Sequence, residues 1–183
     1  AVLAEKILSW EKYFSLEKEQ KRLLERGAHF LLRSDAVFPE NLKNIYDPPF
    51  GLYALGNLKL LKKPRVAIVG SRKSTLYGVS VAKKIAAGLA RAGVCVVSGM
   101  ARGIDAAAHQ GALEVGGPTI GVLGTGIDIV YPPENKDIYD ALRTDGLLLS
   151  EFYFGRKADK QTFPMRNRIV AGLCDGVVVV ESG

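Results

Sequence analysis

Short runs of apolar, mostly β-branched residues recur through the chain from residue 65 onward, and stretches with helical character separate them. Continuous apolar runs of this kind are typical of strands covered on both faces, as in parallel sheets. Right-handed crossovers then build an α/β fold with a doubly wound, Rossmann-like parallel sheet. The predicted strands are 66–70, 94–98, 119–124, 147–150 and 177–181, and the predicted helices lie near 76–92, 104–115, 135–144 and 165–173.

The residues before this sheet predict a small helical N-terminal segment and a connector. Gly27 is a helix stop before a short extended piece, and prolines at 39, 48 and 49 favour an irregular connector. We assign 1–60 to the segment and connector and 61–183 to the Rossmann-like domain. Because the chain begins in a helical pattern and stops just after a strand, we expect a fragment truncated at its C-terminus. The expected inward positions of the helix are Ile7, Leu8, Phe14, Leu16, Leu23 and Leu24.

Composition narrows the class of protein. The 183 residues carry a formal net charge of +6, which favours anionic partners without identifying one. Cys95 and Cys174 are far apart in apolar surroundings, which predicts free thiols rather than a zinc site or a disulfide. No apolar run reaches the length of a membrane span, and no signal-peptide pattern is visible. These features predict a cytoplasmic protein without membrane contact.

The turn after the first predicted strand offers hydroxyls and cations where many nucleotide-binding chains have glycines. Ser71, Arg72 and Lys73 lie there, next to the amide groups of a helix N-terminus, which favours phosphate binding. The alternative is a solvated loop in which Ser74 or Thr75 caps the helix. In the common strand order 3-2-1-4-5, the ligand crevice would lie between the first and fourth strands, at this turn and at the segment after residue 150.

That later segment combines cations with aromatic residues. Cations that follow a polynucleotide backbone, with rings on which bases stack, suit single-stranded nucleic acid. In the alternative interpretation, the rings pack beneath the loop and the arginines pair with carboxylates such as Glu151. The two interpretations are balanced for Arg166 and Arg168, whereas ligand binding is favoured for exposed Lys160. The cations are Arg156, Lys157, Lys160, Arg166 and Arg168, and the rings are Phe152, Tyr153, Phe154 and Phe163.

The remaining loops carry weaker signals. Gly99 would allow the chain to pass close to a ligand, and Asp105 has its usual role at the start of a helix. The glycines at 121, 124 and 126 are spaced differently from a dinucleotide-binding fingerprint. No nucleophile elbow, metal-ligand set or Walker lysine is present, so we predict no catalytic residue, no metal and no cofactor, and a protein that is not an enzyme.

Several motifs together resemble the DNA-processing protein A family, also called Smf. They are "VAIVGSR", "VVSGMARGIDAAAH", "GTGIDIVYPPEN", "LLLSEF" and "FPMRNRIVAGLCDGVVVVESG", in this order. The resemblance implies a homodimeric protein with an extended Rossmann-like domain that binds and protects single-stranded DNA in natural transformation and loads the RecA recombinase. It also implies that residues 1–60 include the end of a helical domain of the sterile-alpha-motif kind.

The resemblance also implies roles for individual residues. Arg72 and Lys160 would bind DNA phosphates, and Phe163 would contact a base. Gly70, Ser71 and Gly99 would let backbone amides approach phosphates. The family's signature at 166–168 would shape the pocket; it comprises Arg166, Asn167 and Arg168.

Two other classes of function compete with this interpretation. One is a nucleotide-processing Rossmann enzyme similar to the lysine-decarboxylase-like phosphoribohydrolases, although "GTGIDIVYPPEN" lacks the glycine-rich, glutamate-ended motif expected of that family. The other is an interaction module whose basic pocket is incidental to dimerisation.

Overall fold

The computed structural model of the chain describes Ser9 and residues 14–182. One seven-stranded sheet runs through it in the order β1-β2-β6-β5-β4-β3-β7, with helices on both faces, so the predicted α/β class is confirmed. The strands are β1 (Ala28–Leu32), β2 (Gly51–Gly56), β3 (Arg65–Gly70), β4 (Cys95–Gly99), β5 (Thr119–Val122), β6 (Leu147–Ser150) and β7 (Gly176–Val180). The helices are α1 (Leu16–Arg26), α2 (Glu40–Lys43), α3 (Leu76–Arg91), α4 (Ile104–Leu113), α5 (Lys136–Asp145) and α6 (Thr162–Gly172), with 3-10 helices at Leu58–Lys62 and Pro133–Asn135.

The strands β3 to β7 form the parallel part of the sheet, and β1 and β2 extend it in the antiparallel sense. The expectation of an irregular connector was wrong for β2, which pairs with β6. Its residues Leu52 and Ala54 pack into the core and are fully buried. The backbone groups of the strand are satisfied by pairing with the edge of β6. The segment before the first predicted strand therefore belongs to the same sheet.

The predicted strand order was also wrong. The fourth predicted strand, β6, lies beside β5 rather than beside β3, and the fifth, β7, occupies the place next to β3. The chain returns from β6 across one face of the sheet through α6, whose Ile169 and Val170 join the core on that face. The direction of winding therefore reverses between β3 and β7, and ligands of such sheets bind beyond the carboxyl ends of the strands at this reversal.

The N-terminal helix contacts the sheet along a narrow stripe. Ser15 caps α1, which ends at Gly27 in the left-handed conformation with φ of 63°. Leu23 packs on the core, and buried Glu19 accepts a 2.6 Å hydrogen bond from the Tyr53 hydroxyl. Phe14, Leu16 and Leu24 are exposed, contrary to expectation, and the expected inward positions Ile7 and Leu8 lie outside the described residues.

Candidate nucleic-acid interface

The turn that follows β3 is held by hydrogen bonds within the protein. Thr75 caps α3, because its Oγ1 accepts a 3.1 Å hydrogen bond from the Gly78 amide. The Thr75 amide donates at 3.0 Å to the Glu181 carboxylate, and the Ser71 amide donates at 2.8 Å to the Glu181 carbonyl oxygen. These amides at the reversal between β3 and β7 are therefore already used by β7's own continuation.

The side chain of Arg72 extends from this turn onto an aromatic ring. Its guanidinium carbon lies 4.7 Å from the ring centroid of Phe163, which is cation–π geometry. Phe163 belongs to the first turn of α6, so the two cationic segments that the sequence singles out converge at one edge of the sheet. Among the described residues, no carboxylate forms a salt bridge with Arg72.

Lys160 lies just before this helix turn. Asp159 fixes the turn, since its Oδ1 accepts hydrogen bonds from the Gln161 and Thr162 amides at 2.8 and 2.9 Å. Lys160 is exposed, and the salt bridges of the described residues do not include it. Only two residues lie between it and Phe163, so their Cα atoms are at most about 11 Å apart. Lys160 therefore stands at the same edge as Arg72.

Arg166 is buried beneath Arg72. It is 4 % exposed, and its Nη1 donates a 2.6 Å hydrogen bond to the Val122 carbonyl oxygen. Burial lowers the pKa of this guanidinium, against the attraction of buried Asp105, although an arginine stays charged. Burial likewise raises the pKa of Asp105, while Arg166 acts in the opposite direction. The two side chains therefore interact electrostatically beneath the interface, although no salt bridge joins them among those found in the described residues.

Gly99 makes room for this pair. A Cβ atom at Gly99 would lie 1.9 Å from the Arg166 guanidinium and 2.4 Å from the Asp105 carboxylate. Behind it, the buried ring of His109 donates from Nε2 to the Gly99 carbonyl oxygen at 2.8 Å. Burial is the main cause that lowers the pKa of His109 to about 4, so the ring is neutral at pH 7. Gly99 thus permits a close internal approach at the carboxyl end of β4.

A cavity of about 280 Å³ opens at the reversal between β3 and β7. It has cationic and aliphatic walls, and Asp105 also lines it. The cavity brings together several of the residues that the sequence predicts for the site, namely Gly70, Arg72, Gly99, Arg166 and Asn167. Arg166 Nε is buried without a hydrogen-bond partner among the described residues.

Arg168 has a different environment from the other predicted residues. Its Nη2 donates at 2.6 Å to Glu151, its Nη1 donates at 2.7 Å to the Asp47 carbonyl oxygen, and its Nε lies 3.2 Å from the Asp47 carboxylate. It does not line the cavity at the strand reversal. Arg168 therefore ties α6 to the loop after β6 and to the connector.

Sequence reasoning missed Tyr131, which lies beside Phe163 with 5.6 Å between the ring centroids. The signal was an aromatic residue in the loop after a glycine-rich strand end, in "GTGIDIVYPPEN". It also missed Glu181, whose carboxylate accepts a hydrogen bond from the Thr75 amide at the start of α3. No local sequence pattern indicates this contact, because the two residues are far apart in the chain. Among the described residues, no cluster of His, Cys, Asp or Glu is arranged to hold a metal ion, and no helix has the length and hydropathy to cross a membrane.

Comparisons of the sequence with known proteins find a matching family and several relatives. The sequence model of a family described as DNA recombination-mediator protein A matches residues 29–183. DNA processing protein DprA of Streptococcus pneumoniae is 44% identical over 173 residues, which cover 94% of this chain and 61% of that protein. Protein Smf of Escherichia coli is 39% identical over 161 residues, which cover 87% of this chain and 43% of that protein. The chain thus spans about three fifths or less of the length of these relatives.

Two solved structures of related proteins match the fold of this chain. The X-ray structure of DNA processing protein A from Streptococcus pneumoniae matches with a TM-score of 0.82, covering 89% of this chain and 58% of that one. DNA processing protein A from Helicobacter pylori, whose structure is described as giving insight into a single-stranded DNA binding mode, matches with a TM-score of 0.77 at 33% identity. That match covers 85% of this chain and 69% of the Helicobacter protein.

Proposed function

Because the chain belongs to the DNA recombination-mediator protein A family, we propose that it binds single-stranded DNA at the carboxyl edge of its parallel strands. The observation that carries the proposal is the contact of Arg72, a cation without a carboxylate partner among the described residues, with the ring of Phe163. A cation beside an aromatic face suits a phosphate that is followed by an unstacked base. The single-stranded DNA binding described for the Helicobacter pylori relative supports it.

In this proposal, Arg72 and Lys160 bind phosphates and Phe163 stacks on a base. Gly70, Ser71 and Gly99 shape the floor of the site. Arg166 and Asn167 line the cavity beside it. Arg168 acts indirectly, by fixing the loop that carries Lys160.

We also propose the wider role that the family resemblance implies. The chain would belong to a cytoplasmic homodimer that protects incoming single strands in natural transformation and loads RecA onto them. Family membership and the family's description as a recombination mediator support this role. The test is RecA filament assembly on single-stranded DNA coated with single-strand-binding protein, with and without the full-length protein. Unchanged assembly would contradict RecA loading and leave DNA binding intact.

The competing proposal of a nucleotide-processing enzyme meets a physical obstacle. Such enzymes place a phosphate at the turn after the first parallel strand. Here the Glu181 carboxylate already accepts hydrogen bonds from the Thr75 amide and hydroxyl, so this helix N-terminus is occupied. The DNA phosphate of our proposal binds instead to the Arg72 side chain, which extends away from the turn onto Phe163. Incubation with nucleoside monophosphates tests the alternative, because release of free base would support the enzyme.

The direct test is a titration of oligo-dT and of a duplex of the same length at several salt concentrations. We expect tighter binding to the single strand, with a logarithmic salt slope of about 0.7 for each phosphate contact. Arg72→Ala and Lys160→Ala should each weaken binding and reduce the slope by about that amount. Lys59→Ala, which changes an exposed lysine in a 3-10 helix, is the matched control. An unchanged slope in both site variants would contradict the proposal.

A further inference from the structure

Three groups in contact form a row along the edge where α6 begins. The guanidinium of Arg72 covers Phe163, and Phe163 in turn contacts Tyr131. We propose that Tyr131 forms a second nucleobase-stacking position, which takes the base next to the one on Phe163. This inference rests on the proposed function, because it assigns a neighbouring nucleotide of the same single strand to Tyr131.

The geometry of the two rings suits consecutive bases. Their centroids are 5.6 Å apart and their planes are inclined at 40°, so the rings do not cover each other face to face. Tyr131 is 41% exposed and therefore keeps ring surface available to a ligand. Base–aromatic stacking tolerates any sequence, since every base has a π-face.

The recess in front of these rings is shallow. It measures about 30 Å³ and is lined by both rings, Pro132 and the side chains of Arg72 and Arg102. This volume is close to that of one water molecule. A base therefore cannot be enclosed there and would lie across the exposed ring faces, as on a stacking platform.

The segment that carries Tyr131 is held rigidly. Asn135 donates hydrogen bonds from Nδ2 to the carbonyl oxygens of Met100 and Ala101 at 2.9 and 3.1 Å. On the other side, Thr125 donates to the Ile129 carbonyl oxygen at 3.0 Å. Because the backbone on both sides of Tyr131 is fixed, little loop ordering is needed when a base binds, so the contact area of the ring contributes to affinity.

The charges around Tyr131 distinguish its role from that of Arg72. Arg102, which also lines the recess, donates to Glu134 from Nη2 at 2.6 Å and from Nε at 3.0 Å. Its charge is balanced within the protein. Tyr131 should therefore contribute to affinity by stacking alone, with no phosphate neutralised at this position.

The experiment compares Tyr131→Ala, Tyr131→Phe and Tyr46→Ala in binding to oligo-dT. Tyr131→Ala should weaken binding about five- to 150-fold, the range for loss of one stacked base, without changing the salt slope. Tyr131→Phe should retain wild-type affinity within about twofold, because the ring remains. Tyr46 is fully exposed in the connector and is the control. Wild-type affinity in Tyr131→Ala would overturn the proposal.

A double-mutant cycle with Phe163→Ala separates direct stacking from support of Phe163. If Tyr131 stacks on its own base, its removal still weakens binding in the Phe163→Ala background. If Tyr131 only positions Phe163, the loss disappears in that background, and the proposal is overturned. Arg72→Ala provides the reference for the site itself. A wild-type salt slope in Arg72→Ala contradicts the proposed function, whereas a selective failure of the Tyr131 variants contradicts only the second stacking position.

Discussion

Two groups of cations at the same end of the molecule differ in their partners. At the edge around Phe163, Arg72 and Lys160 are exposed and form no salt bridge among the described residues. We call these two residues the open cations. At the neighbouring loop, Arg168 binds Glu151 and Asp47 through all three of its nitrogen atoms; we call this cluster the tether. Lys160 and Arg168 even belong to the same basic segment of the sequence, at 156–168.

The difference teaches that availability, rather than local density of charge, identifies a phosphate site. A bidentate arginine–carboxylate pair must be broken before the guanidinium can bind a phosphate, whereas an unpaired cation exchanges only water and counterions. The open cations should therefore control DNA affinity and the tether should control stability. Substitutions in the buried support of the site and in the tether should change the free energy of unfolding, whereas substitutions of unpaired cations should change the DNA affinity.

The buried pair beneath the open cations should have the largest effect on stability. Arg166→Ala removes the charge that favours the Asp105 carboxylate and the donor of the buried Val122 carbonyl oxygen, which together should cost about 3–5 kcal/mol of unfolding free energy in urea denaturation. The loss should shrink at lower pH, because a protonated Asp105 needs no cation. Exposed Arg72→Ala should stay within about 0.5 kcal/mol of wild type. Equal stability of the two variants would break the division.

The buried ring of His109, which lies behind Gly99, should make the stability of the fold depend on pH. The pKa of His109 is about 4 in the folded chain, against about 6.5 when unfolded. The unfolded chain therefore binds the proton first as the pH falls. The contribution of His109 to the free energy of unfolding is therefore fully present above pH 6.5, and up to about 3 kcal/mol of it is lost as the pH falls toward 4. The raised pKa of Asp105 acts in the opposite sense at acidic pH.

The measurement is the urea midpoint of unfolding between pH 7 and pH 4. His109→Gln should be less stable at pH 7 but should have a flatter pH profile. His29→Gln, which removes the exposed histidine of β1, is the matched control and should keep the wild-type profile. A His109→Gln profile parallel to that of the wild type would show that the buried ring is not responsible.

The tether should have a smaller effect, confined to stability. Arg168→Ala leaves the partly buried Glu151 carboxylate unpaired, since the two side chains are only 22% and 20% exposed. We expect a loss of about 2 kcal/mol, or about 4–8 °C in Tm for a chain of this size. The salt slope for oligo-dT should not change. A reduced slope with unchanged Tm would move Arg168 to the DNA site.

Much of the fold was predictable because its signals are local. The five buried runs specify the parallel strands, and Gly27 and Thr75 mark helix ends by their own conformation or side chain. The strand order was not predictable, because it depends on β2 pairing with β6, a contact between segments about one hundred residues apart. A run such as "LLLS" is buried equally well in either order.

The candidate site was predictable as a set of segments but not as a set of contacts. The first and fourth loops were chosen by charge and aromatic content, and Arg72 does contact Phe163. The partners were not predictable from the sequence. Arg166 and Arg168 are two residues apart on one helix, and such residues point to opposite sides of it, so one lies near Asp105 and the other binds Glu151. The Gly99 close approach likewise depends on residues far away in sequence.

The smallest prediction concerns Lys73, which tests whether availability alone makes a phosphate contact. It is exposed next to Arg72 and forms no salt bridge among the described residues. Its flexible ammonium loses side-chain entropy on binding, so Lys73→Ala should weaken oligo-dT binding by less than about 1 kcal/mol. The salt slope should still fall by about 0.7, because one released counterion is lost. With Lys59→Ala as the control, a wild-type slope in Lys73→Ala would mean that an unpaired cation must also lie beside an aromatic ring to hold the strand.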